Sequence, residues 1–340
     1  MGNKFYFCPL IKKIKKMGFI KPFIIISLLI GMLSSCSTDV DIYADYKDIT
    51  IVYGLLDQTD DTSWIKVTKA FSGPGNALLY AQNPDSNNYS YKLDVKLTGI
   101  QNGVEKQVIT FDTLTIKNKK PGDSIFYYPN QLMYYTAEDL NEDYTYHLSV
   151  NKKSETLTSS TEIVHDFSIS SPNRYINFTT DKEIEWNSTA GGKRYEVSLV
   201  FHYKELLPNS TDTTYEQVYW YLGQRKSADV QGGDEMFIGY SGNLFYTTLE
   251  NQLEEVLNVK RWAGNVDVII ASGTQELDTY LEVNDGSGNL LSEVPVYTNI
   301  EGGFGIFGSR ITVVKSVQLS VNSGLKLVTD YPELGFISTK

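Results

Sequence analysis

From residue 48 onward the chain is dominated by short runs in which apolar and polar positions alternate with period two, the pattern of half-buried strands. Ile49 to Tyr53 is β-branched and aromatic, and Trp64 to Thr68 alternates. Tyr91 to Leu97 sets Leu93, Val95 and Leu97 against Lys92, Asp94 and Lys96. Asn102-Gly103 is a hairpin turn signal, with Gln107 to Ile116 as its return strand. Tyr144 to Val150 alternates again, and Leu157 to Val164 follows.

After a Ser/Pro/Asn cluster around Asp166 to Arg174 the pattern changes. Tyr195 to Tyr203, Gln217 to Leu222, Val266 to Ala271 and Arg310 to Ser320 read as strands. Thr247-Thr248-Leu249-Glu250 reads as a capping box opening a helix with Leu249, Leu253, Val256 and Leu257 on one face. Thr274 caps a second helix carrying Leu277, Tyr280 and Leu281, which stops near Asn284. The pattern therefore predicts a mainly β protein. An immunoglobulin/fibronectin-III-like β-sandwich (48–166) is joined by a linker (167–174) to a second β-rich domain with two short helices (175–340).

The first 35 residues belong to neither pattern. Lys12, Lys13, Lys15, Lys16 and Lys21 precede an apolar core from Phe23 to Leu33, of signal-peptide length. Leu33-Ser34-Ser35-Cys36 then matches a bacterial lipobox, which predicts a signal peptide over 1–35, lipidation at Cys36 and a polar, acidic tether over 36–47. Met17 is an alternative start that leaves a shorter basic flank before the same apolar core.

Composition sharpens this picture. The formal charge of −11 becomes −17 once the lysine-rich leader is removed. Such a chain repels nucleic-acid phosphates and anionic headgroups, so its contact with the membrane is assigned to the lipid on Cys36. Cys8 and Cys36 are the only cysteines. With one in the leader and the other lipidated, disulfides, thiol nucleophiles and thiolate metal sites are excluded.

Few motifs carry chemistry. Gly303-Phe304-Gly305-Ile306-Phe307-Gly308 has G-x-G-x-x-G spacing, but strand-forming residues follow where a dinucleotide site needs a helix. Gly302, Gly303, Gly305 and Gly308 are read as a structural bend in the second domain, with Phe304 and Phe307 anchored in its core. No cofactor is expected. Asp285-Gly286-Ser287-Gly288-Asn289 lacks the Gly and Glu that a calcium loop requires, and Asp57, Asp60 and Asp61 read as a solvated turn. His147, His165 and His202 are too scattered for a local zinc motif, and no G-x-S-x-G elbow accompanies them. A triad assembled across space stays open at this point. Tyr215, Tyr219, Trp220 and Tyr221 are either half-buried strand packing or an exposed ligand platform.

Three pieces stand together: Ile51-Val52-Tyr53-Gly54-Leu55-Leu56 after the lipobox, Phe126-Tyr127-Tyr128-Pro129-Asn130-Gln131, and Tyr297 to Gly308 near the end. They resemble an uncharacterised family of Bacteroidetes cell-envelope lipoproteins that carry a domain of unknown function. The resemblance implies an outer-membrane lipoprotein, in some gene neighbourhoods alongside a TonB-dependent receptor, and supplies no catalytic residues. The resulting expectation is a non-enzymatic binding or accessory protein of the envelope. The alternatives are an envelope hydrolase acting on glycan or peptide and a structural or adhesive surface module.

Overall fold

The computed structural model describes residues 47–72, 77–117, 130–153, 155–284 and 296–338. The leader, Cys36, the tether up to residue 46, the Phe126–Pro129 motif and the 285–289 turn lie outside them. Among the described residues no helix is long and apolar enough to cross a membrane.

The protein is mainly β, with two hydrophobic cores. The first core is a sandwich. One layer is β1 (Lys47–Leu56), β2 (Ser63–Ser72), β6 (Asn130–Thr136) and β5 (Asp112–Lys117); the other is β4 (Val104–Thr110), β3 (Asp94–Gln101), β7 (Thr145–Asn151) and β8 (Thr156–Glu162). Two one-turn helices, α1 (Ala77–Ala81) and α2 (Pro84–Asn87), lie in the β2–β3 connection. Alternation decides which side chains meet. Val52, Ile65 and Val67 from the first layer face Val95, Leu97, Leu148 and Val150 from the second, all 4% exposed or less. Asn102 (φ 52°) and Gly103 (φ 73°) make the expected hairpin turn with positive φ at both central positions. The run Gln107 to Ile116 is not one strand. It breaks at Phe111, whose ring is 1% exposed, so that β4 stays in one layer and β5 crosses to the other. One strand that changes layers closes the sandwich edge without a long loop.

The second core is covered by β13 (Thr214–Lys226), β12 (Arg194–Leu206), β15 (Lys260–Gly273) and β16 (Phe304–Leu319) on one side. Opposite lie a small sheet, β14 (Glu235–Tyr240), β11 (Lys182–Asn187) and β9 (Ile169–Ser171), and the helices α3 (Gly242–Gln252) and α5 (Val321–Thr329). A further helix, α4 (Gln275–Asn284), follows Thr274, whose carbonyl takes the Asp278 N–H, but the buried Thr274 hydroxyl makes no capping hydrogen bond. Helix α3 corrects the capping-box reading. It starts at Gly242, whose N–H donates to Asp181 Oδ1 at 3.0 Å, and Thr247 and Thr248 lie inside it. Thr248 Oγ1 donates to the Leu244 carbonyl at 2.7 Å instead of capping. Helix α5 is a third helix that the pattern did not reveal; Ser320 caps it through the Ser323 N–H.

The expected linker is also corrected. Within 167–174, Ile169 is 4% exposed and β9 pairs with Glu185 and Trp186 of β11, so this stretch is part of the second core's wall.

Strand β16 serves both cores. Its first third pairs parallel to β1, from Ile51↔Phe304 to Leu56↔Ser309, and the remainder pairs antiparallel to β15, from Gly273↔Arg310 to Asn265↔Gln318. The Gly302–Gly308 motif is thus a turn at Gly302 and Gly303 that leads straight into a strand. Phe307 is fully buried, but in the first core, beside Val52 and Ile65. Phe304 is 42% exposed and anchors neither core. The parallel β1–β16 pair departs from the antiparallel pairing of an immunoglobulin-like sandwich, and its second strand comes from the far end of the chain.

Candidate functional site

Period two sorts the side chains of β12, β13, β15 and β16 onto a core face and an outer face. On β12, Tyr195, Val197, Leu199, Phe201 and Tyr203 enter the core, which leaves Ser198, Val200, His202 and Lys204 on the outer face, the first two of them covered. On β13, Val218 and Trp220 go inward while Tyr215, Tyr219 and Tyr221 stand outside, 78%, 52% and 48% exposed. The structure therefore divides the tyrosine-rich run: Trp220 is packing and the three tyrosines form an outer row.

At one end of this face lies an open groove of about 750 Å³. Its floor is a cross-strand row, since Lys204 pairs with Tyr215 on one side and Trp262 on the other. The Lys204 ammonium lies 5.0 Å from the Tyr215 ring centre, a cation–π contact that orders both side chains. The strand pairing is irregular between Phe201 and Tyr203, and Gly264 and Asn265 stand opposite the irregularity. A β-carbon at Gly264 would lie 2.7 Å from the His202 carbonyl oxygen, so glycine permits this close approach. One strand step further, His202 Nε2–H donates to Asp267 Oδ2 at 2.7 Å. The carboxylate can only accept, so Nε2 carries the proton of this bond. Ser316 lies across β16 from Asp267.

Histidine, aspartate and serine thus meet here, but in an order that does not build a hydrolytic triad. A triad places the imidazole between hydroxyl and carboxylate, one partner on each ring nitrogen. Here Asp267, on the middle strand, stands between His202 and Ser316. The serine reaches the carboxylate side and leaves the free ring nitrogen without this nucleophile.

Helix α4 closes the opposite end of the outer face. Asp278, 4% exposed, receives Arg194 Nη1 at 3.3 Å and Lys226 Nζ at 2.8 Å, and Lys226 also pairs with Glu282. Burial works against the charges of Arg194 and Lys226, yet the bonds to Glu196, Asp278 and Glu282 outweigh it and hold both pKa values above their ordinary range.

The other candidates from the sequence are dispersed. His147 is exposed on β7 and His165 lies beyond β8. Asp57 is buried and folds its carboxylate onto Thr59, which donates from N at 3.0 Å and from Oγ1 at 2.7 Å. Among the described residues no group of three or more His, Cys, Asp or Glu is placed to hold a metal ion. Sequence reasoning singled out His202 and Tyr215 but missed Lys204, Trp262, Asn265, Asp267 and Ser316. Alternation does put His202 and Lys204 on one face; the register that brings the other strands beside them is not written locally.

No protein-family model and no curated protein matches the chain. Among solved structures it is similar to the C-terminal globular domain of an oligosaccharyltransferase from Pyrococcus abyssi, at 8% identity and a TM-score of 0.24. That alignment covers 66% of this chain and 47% of the other, so the chain spans about half of that domain. It is also similar to the calcium-binding domain CBD12 of CALX1.1, at 10% identity and a TM-score of 0.14, covering 79% of this chain and 99% of the other. At those TM-scores neither likeness carries functional meaning for this chain.

Proposed function

We propose that this chain is a lipid-anchored binding protein of the bacterial outer membrane, attached through Cys36, with the groove on the outer face of the second core as its ligand site. The observation that supports the site is the convergence of two aromatic rings, Tyr215 and Trp262, with Lys204, His202, Asp267 and Ser316 around an open volume of about 750 Å³, within the range of ligand pockets. The lipobox Leu33-Ser34-Ser35-Cys36 supports the anchor. The resemblance to envelope lipoproteins supports a TonB-dependent receptor as partner. A binding role is favoured over the hydrolase alternative because Asp267 separates Ser316 from His202.

Two measurements test the reading. Cys36→Ala abolishes incorporation of labelled fatty acid and releases the chain from the outer-membrane fraction; a mature N-terminus elsewhere by mass spectrometry refutes the anchor. For the site, a photo-crosslinking amino acid is placed at position 215 or at the 49% exposed Val108 of the first sandwich, in the lipidated chain in native envelopes. Adducts confined to position 215 support the groove; equal yields at both positions remove it.

A further inference from the structure

The groove's lining also limits what it can hold; this step rests on the reading that the groove is the binding site. First, its apolar surface is aromatic. Besides Tyr215, Trp262 and the edge of Tyr203, the carbon-rich lining is only Ala263, Gly264 and the stems of polar side chains. Among the described residues no leucine, isoleucine, valine or methionine lines it. Peptide recognition draws its affinity from aliphatic and aromatic anchors seated in apolar pockets, and aliphatic pockets are missing here.

Second, the groove floor offers a peptide backbone few groups to pair with. Its floor is β12 and the first residues of β15; β12 is paired on both sides, whereas β15 pairs with β16 only from Asn265 onward, and at Arg261 its other side is taken by Gly335 and Ile337. Strand addition needs an open edge, and the edge of this sheet is β13, at the groove's rim.

Third, the charges nearly balance. The lining sets Lys204 against two carboxylates, Asp267 and Glu216, and the ring N–H of His202 is committed to Asp267. Without its lysine-rich leader the chain carries a net charge of −17, so polyanions are repelled.

What remains is a flat shelf with two ring faces and polar side chains that between them donate and accept: the Asn265 carboxamide and Ser316 hydroxyl do both, the Asp267 carboxylate accepts and the Lys204 ammonium donates. Tyr215 and Trp262 sit on strands separated only by β12, which puts their backbones roughly 10 Å apart. Tyr215 is 78% exposed, so most of its ring is open despite the contact with Lys204. A molecule suited to this surface presents weakly positive C–H faces to the negative ring faces and closely spaced hydroxyls to the polar groups between them. We infer that the groove binds an uncharged oligosaccharide, with sugar faces on Tyr215 and Trp262 and hydroxyls on Asn265, Asp267 and Ser316.

The test uses the mature full-length chain in detergent. It is screened against an array of neutral oligosaccharides and, in parallel, against a pooled library of unstructured peptides. The tightest binder of each kind is titrated by calorimetry against wild type, Tyr215→Ala and Trp262→Ala, each variant first checked for an unchanged melting temperature. The inference expects a neutral oligosaccharide to bind and each ring deletion to weaken it roughly fivefold to tenfold, as loss of a stacking face does. Should Trp262→Ala unfold the protein, Tyr215→Ala alone decides, since that exposed ring has little packing to lose. Ring-dependent binding of peptides with no sugar bound overturns the ligand class and leaves the binding site standing. Sugar binding that neither ring deletion weakens overturns the placement in this groove. Absence of ring-dependent binding in both screens overturns the ligand class and the site together.

Discussion

Gly305 passes so close beneath Val52 that a β-carbon on it would overlap the Val52 carbonyl oxygen. The two residues are register partners in the parallel β1–β16 pair, the seam by which the C-terminal part of the chain joins the first core. The backbone at Gly305 has φ of 110°, which side-chain-bearing residues rarely adopt. Steric room and dihedral therefore make the same demand.

Gly305→Ala should accordingly destabilise by more than the ~1 kcal/mol of an ordinary change in chain flexibility, because the seam must open to relieve the overlap. Gly308→Ala is the matched control. Its φ is ordinary and the nearest atom to an added β-carbon is Thr274 Oγ1 at 3.0 Å, which a side-chain rotation relieves. Chemical denaturation of both variants checks the prediction, and equal losses would sink it.

Phe307 and Phe304 form a second pair of opposites in the same strand. Phe307 is fully buried, and both of its backbone groups are held by one side chain: its N–H donates to Asn299 Oδ1 at 2.9 Å and its carbonyl accepts from Asn299 Nδ2 at 2.6 Å. Phe307→Ala should cost roughly 3–5 kcal/mol, a large share of an ordinary domain's stability. Phe304→Ala, from a ring 42% exposed, should cost well under half of that. The loss should register in the first core, through faster amide exchange in β1 and β2, although residue 307 is remote from them in sequence. Exchange that quickens only around β12 and β13 would place the ring in the other core.

The contrast explains what could be read along the chain. Strands with one wet face announce themselves, so β2, β3 and β7 follow from alternation, while β1, β8, β12, β13, β15 and β16 show as apolar or β-branched runs. The glycines at 302 and 305 could be recognised as backbone requirements, since a strand-forming run followed them. Their destination could not, because pairing between residues 52 and 305 is decided by topology and leaves no local mark. The same holds for the groove: His202 and Lys204 share a face by period two, while Asp267 and Trp262 arrive through the register of another strand. Helix α5 escaped notice although Val321, Leu325 and Val328 recur at helical spacing, because it is short and Gly324 interrupts it. The Ser/Pro/Asn cluster read as a linker for its composition, but Ile169 within it is buried and its carbonyl accepts from Lys315 Nζ at 2.7 Å.

Arg261 is a buried cation whose removal should be severe. It is 2% exposed, and its guanidinium donates to Glu205 Oε2 at 2.7 Å, to the Leu334 carbonyl at 2.8 Å and to the Glu254 carbonyl at 2.9 Å. Its own backbone pairs with Gly335 and Ile337. One side chain thus ties the end of α3 and residues 334–337 to β12 and β15. Arg261→Met leaves Glu205 and two carbonyls without partners and should cost roughly 3–5 kcal/mol. Arg261→Lys should recover only a minor part, because an ammonium cannot span the three directions of the fork. The first visible consequence is proteolytic loss of the segment after Tyr331. A variant that melts normally and keeps that segment protected would contradict the assignment.

The last prediction concerns alkaline pH. Tyr240 and Tyr246 line the second core, 6% and 0% exposed, and donate to the carbonyls of Asn177 at 3.2 Å and Ser323 at 3.4 Å. Burial penalises the phenolate and pushes both pKa values up to about 12. In the unfolded chain they return to about 10. The sign follows from the proton count. Below pH 10 both states keep the protons and the contribution is complete. Between 10 and 12 the unfolded state releases protons that the folded state retains, so unfolding becomes steadily more favourable. Each residue contributes on the order of 2 kcal/mol to that fall. Tyr134 and Tyr195 shift in the same direction for the same reason and add to it. Urea unfolding should therefore give a flat stability from pH 8 to 10 and a decline from 10 to 12. The double variant Tyr240→Phe, Tyr246→Phe should start somewhat lower at pH 8, by about 1 kcal/mol for each lost hydrogen bond. It should then decline less steeply, keeping only the part that belongs to the remaining buried tyrosines. A double variant whose slope between pH 10 and 12 equals that of the wild type would show that these two hydroxyls do not carry the alkaline sensitivity.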